Sequence, residues 1–215
     1  MEYNPLDKAN LGISVRDALL KQPTIPMEPW PDKFEGAGIY AIYYTGDFSA
    51  YAKISMENRG GKFNQPIYVG KAVPSGSRKG GVSDSASRPT RSLYTRLTEH
   101  AKSISETKNL RIEDFYFRYL TVDDIWIPLG ETYLIERFRP LWNKVVEGFG
   151  IHTPGERRKG QYSSMWDTLH PGRVFVTKLK LPANPKGVVH ILDEINSFLS
   201  LSPPEQSKIP DTPEI

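Results

Sequence analysis

The chain of 215 residues contains no cysteine. That excludes disulfides, thiolate nucleophiles and zinc sites built on cysteine. It also suits a reducing compartment. No run of about 18 apolar residues occurs, so no membrane-spanning helix is expected. The first ten residues, Met1 to Asn10, lack a basic stretch followed by an apolar one, so no signal peptide is expected. A cytoplasmic location follows as the expectation. Histidine is scarce: His152, His170 and His190 show no HExxH or close-paired spacing, which argues against a zinc centre. There is no Gly-rich nucleotide-binding loop, no nucleophile-elbow context around Ser163-Ser164, and no internal repeat. Charge of one sign is also modest, with a formal net charge of +3.

What is present is a chain that can build a core, 38% hydrophobic and 25% charged, long enough for one elaborated domain. Its cations are unevenly spread. Lys71, Arg78, Lys79, Arg88, Arg91 and Arg96 face a single acid, Asp84, and Arg157-Arg158-Lys159 form a second cluster. A polyanionic partner would use such clusters, although a solvated basic surface reads the same way.

Two tyrosine-bearing stretches dominate the pattern. In Gly38 to Tyr44 (GIYAIYY), alternation puts Ile39, Ala41 and Tyr43 on one face and Tyr40, Ile42 and Tyr44 on the other. In the second, Ile67 and Val69 share a face and Tyr68 points opposite. An antiparallel pairing would bring Tyr40 and Tyr68 to one side of the sheet. An ordinary amphipathic hairpin has the same appearance, since tyrosine is a good strand residue.

In chain order, an amphipathic helix is expected from about Pro5 to Gln22, with Gly12 as its weak point. Pro23 to Phe34 reads as an extended proline-rich connector carrying Trp30. The connection 46–66 contains a short helix near Ser49 to Glu57. Residues 72–91 form a Gly-, Ser- and Arg-rich loop, the kind that is functional or disordered. A helix from Ser92 puts Arg96 and His100 one turn apart on one face. A strand follows within Ile112 to Val122, then a helix from Pro128 to Phe138, ended at Arg139-Pro140. Beyond Gly148, Ser163 to Leu169 reads as a short helix, Val174 to Leu181 as a strand, and Gly187 to Leu199 as an amphipathic helix. The tail after Ser202 is proline-rich and reads as disordered.

The ordered series Gly38-Ile39-Tyr40, Tyr68-Val69-Gly70-Lys71, Arg96 with His100, Glu131, and Pro140-Leu141-Trp142-Asn143 resembles the motif series of the GIY-YIG nucleases. It runs from Ala37 to Asn143, with Val69 where isoleucine is usual and with longer connections than minimal members. The Gly/Arg-rich loop and the later Gly-Ile-His-Thr-Pro-Gly and Leu-His-Pro-Gly-Arg stretches are similar to the type II restriction endonucleases of that family. The resemblance implies an α+β fold with a small, mainly antiparallel three-stranded sheet flanked by helices. It divides the chain into an N-terminal helix and arm (1–36), a catalytic core (37–147) with insertions at 46–66 and 72–91, a DNA-contacting or dimer-forming extension (148–202) and a tail (203–215).

The same resemblance implies a Mg²⁺-dependent, sequence-specific DNA endonuclease, with Mn²⁺ able to substitute, in a bacterial cytoplasm. Glu131 would be the single metal ligand, supporting the leaving 3′ oxygen; Glu136 on the same helix is the competing carboxylate. Arg96 can fork onto a phosphate oxygen. Tyr40 is the candidate general base, but a phenol serves at neutral pH only if cations lower its pKa or it relays a proton. Lys71 and His100 are the neighbours available for that. Tyr68 would orient water or phosphate, and Asn143 would shape the site more than react. Which phenol meets the attacking water stays open.

DNA-contact candidates are Arg59, Lys62, Arg78, Lys79, Arg88 and Arg91 in the insertions, and Arg157, Arg158, Lys159, Gln161 and Arg173 later in the chain. One metal cuts one strand, so a palindrome calls for a homodimer. A GC-rich palindrome such as CCGCGG and a companion DNA methyltransferase are further implications. A structure-selective or homing nuclease on the same core, and a non-catalytic DNA-binding protein, remain the rivals.

Overall fold

The computed structural model describes residues 7–74, 90–151 and 160–201. Its centre is β2 (Gly38–Tyr44), whose seven residues are all buried. The strand is hidden on every side because it is hydrogen-bonded along both edges and covered on both faces. It pairs antiparallel with β3 (Tyr68–Ala72) on one side and β4 (Phe115–Thr121) on the other. The alternation read from GIYAIYY divides the core as expected. Tyr40, Ile42 and Tyr44 enter the larger apolar cluster, with Leu97, Phe117 and Trp142. Ile39, Ala41 and Tyr43 enter a smaller one, with Leu19, Ile127 and Leu134.

The helices form layers on the two faces. α1 (Lys8–Leu20) and α4 (Ile127–Phe138) cover the smaller cluster. α2 (Ala52–Asn58), α3 (Ser92–Ser105), α5 (Leu141–Lys144), α6 (Met165–Leu169) and α8 (Gly187–Ser200) cover the larger one. Gly12, the weak point of α1 by propensity, is where α1 meets α4. A Cβ there would lie 2.1 Å from the Tyr133 ring. Trp30 packs edge-on to Tyr94 and against Phe117.

Two expectations require correction. The sheet has four strands, ordered β1-β4-β2-β3, not three. β1 (Ile25–Pro26) lies in the stretch read as a connector and pairs with Tyr116 and Phe117 of β4. Proline is tolerated there because the strand is at an edge. Val174 to Leu181, read as a strand, instead starts with the helix α7 (Val174–Lys178). A strand needs a partner edge. Here the segment satisfies its own backbone locally, with Leu179 N donating to Phe175 O at 2.9 Å.

The 46–66 connection is built into the core. Tyr51, Ile54, Ser55 and Asn58 are buried. The Asn58 amide ties its ends together, donating to Tyr44 O at 3.0 Å and Gln65 O at 2.8 Å. Most of the 72–91 loop and the tail after residue 201 lie outside the described residues. The described residues of 148–201 pack into the same large cluster as the sheet, through Phe149, Trp166, Ile191 and Ile195.

Candidate active site

The register opposes Tyr40 to Gly70 and Ile42 to Tyr68. Tyr40 and Tyr68 are therefore diagonal neighbours on one face, with ring centroids 6.3 Å apart. Gly70 is needed for this arrangement, since a Cβ there would sit 2.4 Å from the Tyr40 hydroxyl. Gly38 is needed too: its Cβ would meet Leu120 O at 2.0 Å.

α3 packs over this face because Leu93, Leu97, His100 and Ile104 form its buried stripe. The stripe brings His100 Nε2 to 2.6 Å from the Tyr40 hydroxyl, with both residues fully buried. Arg96, one turn earlier, sits nearer the rim. It donates through Nη2 to Gly150 O at 2.8 Å and through Nη1 to Glu99 Oε2 at 3.2 Å. Phe149 stacks on the His100 ring at 4.5 Å and meets Tyr68 edge-on at 5.0 Å.

Glu131 arrives from the opposite layer. Along β3, Tyr68, Gly70 and Ala72 face α3, while Val69 and Lys71 face α4. β3 is the edge strand, so groups from both faces meet beyond it. Glu131 Oε2 lies 2.6 Å from Lys71 Nζ, both partly exposed. The result is a cleft of about 510 Å³ with Tyr40 as its floor and Tyr68, Lys71, Arg91, Arg96 and Glu131 among its walls. Glu136 is exposed and is not among the groups lining it.

Asn143 sits on the outer side of β3. Its Oδ1 accepts from Val69 N and its Nδ2 donates to Val69 O, each at 2.8 Å. The side-chain amide thus acts like one residue of a further strand. Asn143 holds the strand that carries Tyr68 and Lys71.

The electrostatics correct one expectation. Burial, and secondarily the adjacent Tyr68 phenol, push Tyr40 well above the ordinary tyrosine pKa; Arg96 opposes this only in part. Tyr68 is pushed up to about 12, again chiefly by burial. Lys71, expected to help lower the Tyr40 pKa, pairs with Glu131 instead, and the cation that acts on the phenols is Arg96. Burial works against the charge of Arg96, but Tyr40, Tyr68 and Glu99 outweigh it and hold the guanidinium firmly protonated. Both phenols are therefore neutral at pH 7, and the relay is the form of base chemistry this site can support.

The predicted DNA contacts are distributed differently. Lys62 and Gln161 are exposed, and Arg91 is exposed at the cleft. Arg59 is engaged with its own turn, donating to Thr45 O at 2.8 Å and Gly46 O at 3.0 Å and pairing with Asp47. Arg173 cannot touch DNA as expected, because it is 1% exposed and its donors are all used internally. Arg78, Lys79, Arg88, Arg157, Arg158 and Lys159 lie outside the described residues.

Three features were not foreseen from the sequence. Phe149 and Gly150 back the site, Glu99 holds Arg96, and a second phenol–imidazole pair lies deeper in the core. In that pair the Tyr51 hydroxyl is 2.6 Å from His170 Nε2, and Trp142 Nε1 donates to Tyr51 at 3.0 Å. Burial depresses His170 to about 3, so it is a neutral core histidine. The nearest sequence signal was Gly148-Phe149-Gly150, an aromatic between two glycines. Among the described residues, no group of three or more His, Cys, Asp or Glu side chains is arranged to hold a metal.

Compared with known protein families, residues 32–199 match the model described as the Eco29kI GIY-YIG domain, a type II restriction endonuclease family. No curated protein matches the chain.

Proposed function

The chain belongs to the Eco29kI GIY-YIG family of restriction-type nucleases, and on that premise we propose that it is a Mg²⁺-dependent, sequence-specific endonuclease of double-stranded DNA. The observation that carries this reading is the convergence of Tyr40, Tyr68, Arg96 and Glu131 on one open cleft, from two strands and two helices on opposite faces of the sheet, with His100 buried behind Tyr40 at hydrogen-bond distance.

The donor set fits a hydrated divalent cation. Mg²⁺ is commonly held by one or two carboxylates, with waters and substrate phosphate completing its shell. Glu131 offers one hard oxygen ligand in the cleft, kept in place by Lys71. Bound there, Mg²⁺, or Mn²⁺ in its place, supplies charge neutralisation at the leaving 3′ oxygen.

The remaining work falls to the protein. Arg96 has five donors; Glu99 and Gly150 orient the guanidinium, and its other donors are for a non-bridging phosphate oxygen. The attacking water gives a proton to the Tyr40 hydroxyl while Tyr40 passes its own to His100 Nε2. This needs no phenolate in the resting enzyme, and it starts from imidazole with Nε2 unprotonated. Tyr68 borders the approach and orients the water. The water oxygen bonds to phosphorus as the bond to the 3′ oxygen breaks, and the departing 3′ oxygen takes a proton from solvent, giving a 5′-phosphate and a 3′-hydroxyl.

Lys62, Arg91 and Gln161 are the described candidates for DNA contact. The charged residues of 75–89 and 152–159 belong to the same reading. One such site cuts one strand, so the working form is a homodimer on a palindrome, GC-rich and of the CCGCGG type, with a DNA methyltransferase as companion. Digestion of plasmid DNA with Mg²⁺, followed by mapping of the ends, tests this. Discrete fragments sharing one palindrome are expected. Random nicks would favour a repair or non-specific nuclease, and binding without cutting would favour a non-catalytic module. Equilibrium sedimentation with and without a cognate oligonucleotide tests the dimer; a monomer making concerted double-strand breaks would refute it.

A further inference from the structure

Residues 148–151 form the wall behind the proposed active site. The Phe149 ring lies on His100, and Gly150 O receives Arg96. A Cβ on Gly150 would be 2.7 Å from the Tyr68 hydroxyl, so this backbone also abuts the second phenol. Three of the four carbonyls in this wall converge on one side chain. Arg173 donates through Nη1 to Ile151 O at 2.6 Å and Phe149 O at 3.2 Å, and through Nη2 to Gly148 O at 3.0 Å. Carbonyl dipoles aimed at one point repel each other unless a cation sits between them. The guanidinium supplies that charge in a fixed fork.

Arg173 is itself tightly held. Nε and Nη2 form a two-point pair with the Asp167 carboxylate at 2.6 and 2.7 Å. Its guanidinium carbon lies 4.6 Å from the Trp166 ring centre and 4.7 Å from that of Phe175. Asp167 is held in turn by the Ser164 hydroxyl at 2.7 Å. A chain of contacts therefore runs from α6 through Asp167 and Arg173 to the wall, and from the wall to Arg96 and His100.

We propose that Arg173 is a positioning residue for strand cleavage: by gathering the carbonyls of Gly148, Phe149 and Ile151 it sets the ring that packs on His100 and the carbonyl that orients Arg96. This rests on reading the cleft as a nuclease site. Arg173 does not touch the DNA, and its effect passes through the wall alone.

Arg173→Met by itself would leave a buried, unpaired Asp167 and is expected to fold poorly. Two other variants separate positioning from folding. Asp167→Leu with Arg173→Met removes both charges, an exchange that buried ion pairs commonly tolerate. Arg173→Lys keeps a partner for Asp167 but cannot span three carbonyls. Both variants are compared with wild type by long-range ¹H–¹⁵N spectra of the histidine rings, with the His100 signals assigned from His100→Gln. Both are expected to fold cooperatively with shifted His100 signals, because the Phe149 ring current moves. Single-turnover cleavage should fall about tenfold to a hundredfold, the scale of a misplaced catalytic group. DNA affinity measured in Ca²⁺ should stay within about threefold, since the contacts to DNA remain in place. Folded variants with wild-type His100 signals would overturn the proposal, as would folded variants that cut at the wild-type rate. Failure of both to fold would also overturn it, by making Arg173 a folding residue only. The spectra report whether or not DNA is cut, so a wild-type protein that does not cleave would refute the nuclease reading separately.

Discussion

Tyr40 carries a conflict between where it sits and what it is asked to do. A phenol on the central strand must be buried, and burial raises its pKa. A free phenolate base is then unavailable at neutral pH, yet the 2.6 Å contact to His100 offers the proton another route. The two schemes differ in their pH dependence. A phenolate base with its pKa at about 12, as for Tyr68, would give a single-turnover rate climbing about tenfold per pH unit through the alkaline range. The relay predicts no such climb between about pH 8 and 10. Tyr40→Phe should lower the rate by about a hundredfold or more with DNA binding retained, whereas Tyr68→Phe should cost less. A larger loss at Tyr68 would move the relay to that phenol.

At the scale of elements, the site depends on β3, an edge strand with little freedom on either side. Asn143 holds its outer edge and the Tyr40 ring lies across Gly70. Gly70→Ala should drive the Tyr40 hydroxyl off His100. Its expected cost is about 1–3 kcal/mol in urea unfolding, as for other overpacked cores, together with most of the cleavage rate. Unchanged cleavage would show that the phenol tolerates displacement.

The sequence was informative where periodicity or spacing was. The GIYAIYY alternation, the α3 stripe placing Arg96 and His100 together, and the Pro128 helix start all correspond to observed elements. β1 was illegible because two residues, one of them a proline, carry no period, and its pairing is supplied by β4. Val174 to Leu181 alternates like a strand, but no neighbouring edge receives it. Arg173 looked like a DNA contact because it ends a basic, Gly-rich segment. Its burial follows from Asp167, six residues earlier, and from carbonyls that leave no trace in a sequence. The Tyr40–Tyr68–Arg96–His100–Glu131 set was legible as an ordered series, whereas the wall behind it was not.

The molecule as a whole is braced by buried neutral groups, which fixes how its stability responds to pH. His170 is depressed to about 3 from an ordinary value of about 6.5. Its contribution is complete above pH 6.5 and is lost as the pH falls from there through 3, because the unfolded chain binds the proton first. The buried phenols act with the opposite sign. Tyr68 is raised to about 12, so its contribution is complete below pH 10 and is lost as the pH climbs through about 12, and Tyr40, also raised by burial, acts in the same direction. Urea midpoints should therefore fall on both flanks, and His170→Gln should flatten the acid one. An unchanged acid limb in that variant would show that His170 is not the group being titrated.

The central claim is that the cleft beyond β3 cuts DNA with a cation held at Glu131. It is tested most directly by treating one plasmid, with Mg²⁺, with wild-type protein, Glu131→Gln and Glu136→Gln in parallel. Wild type and Glu136→Gln should release the same discrete fragments, while Glu131→Gln should bind the DNA and leave it intact. Wild-type cutting by Glu131→Gln, or loss of cutting only in Glu136→Gln, would contradict the account.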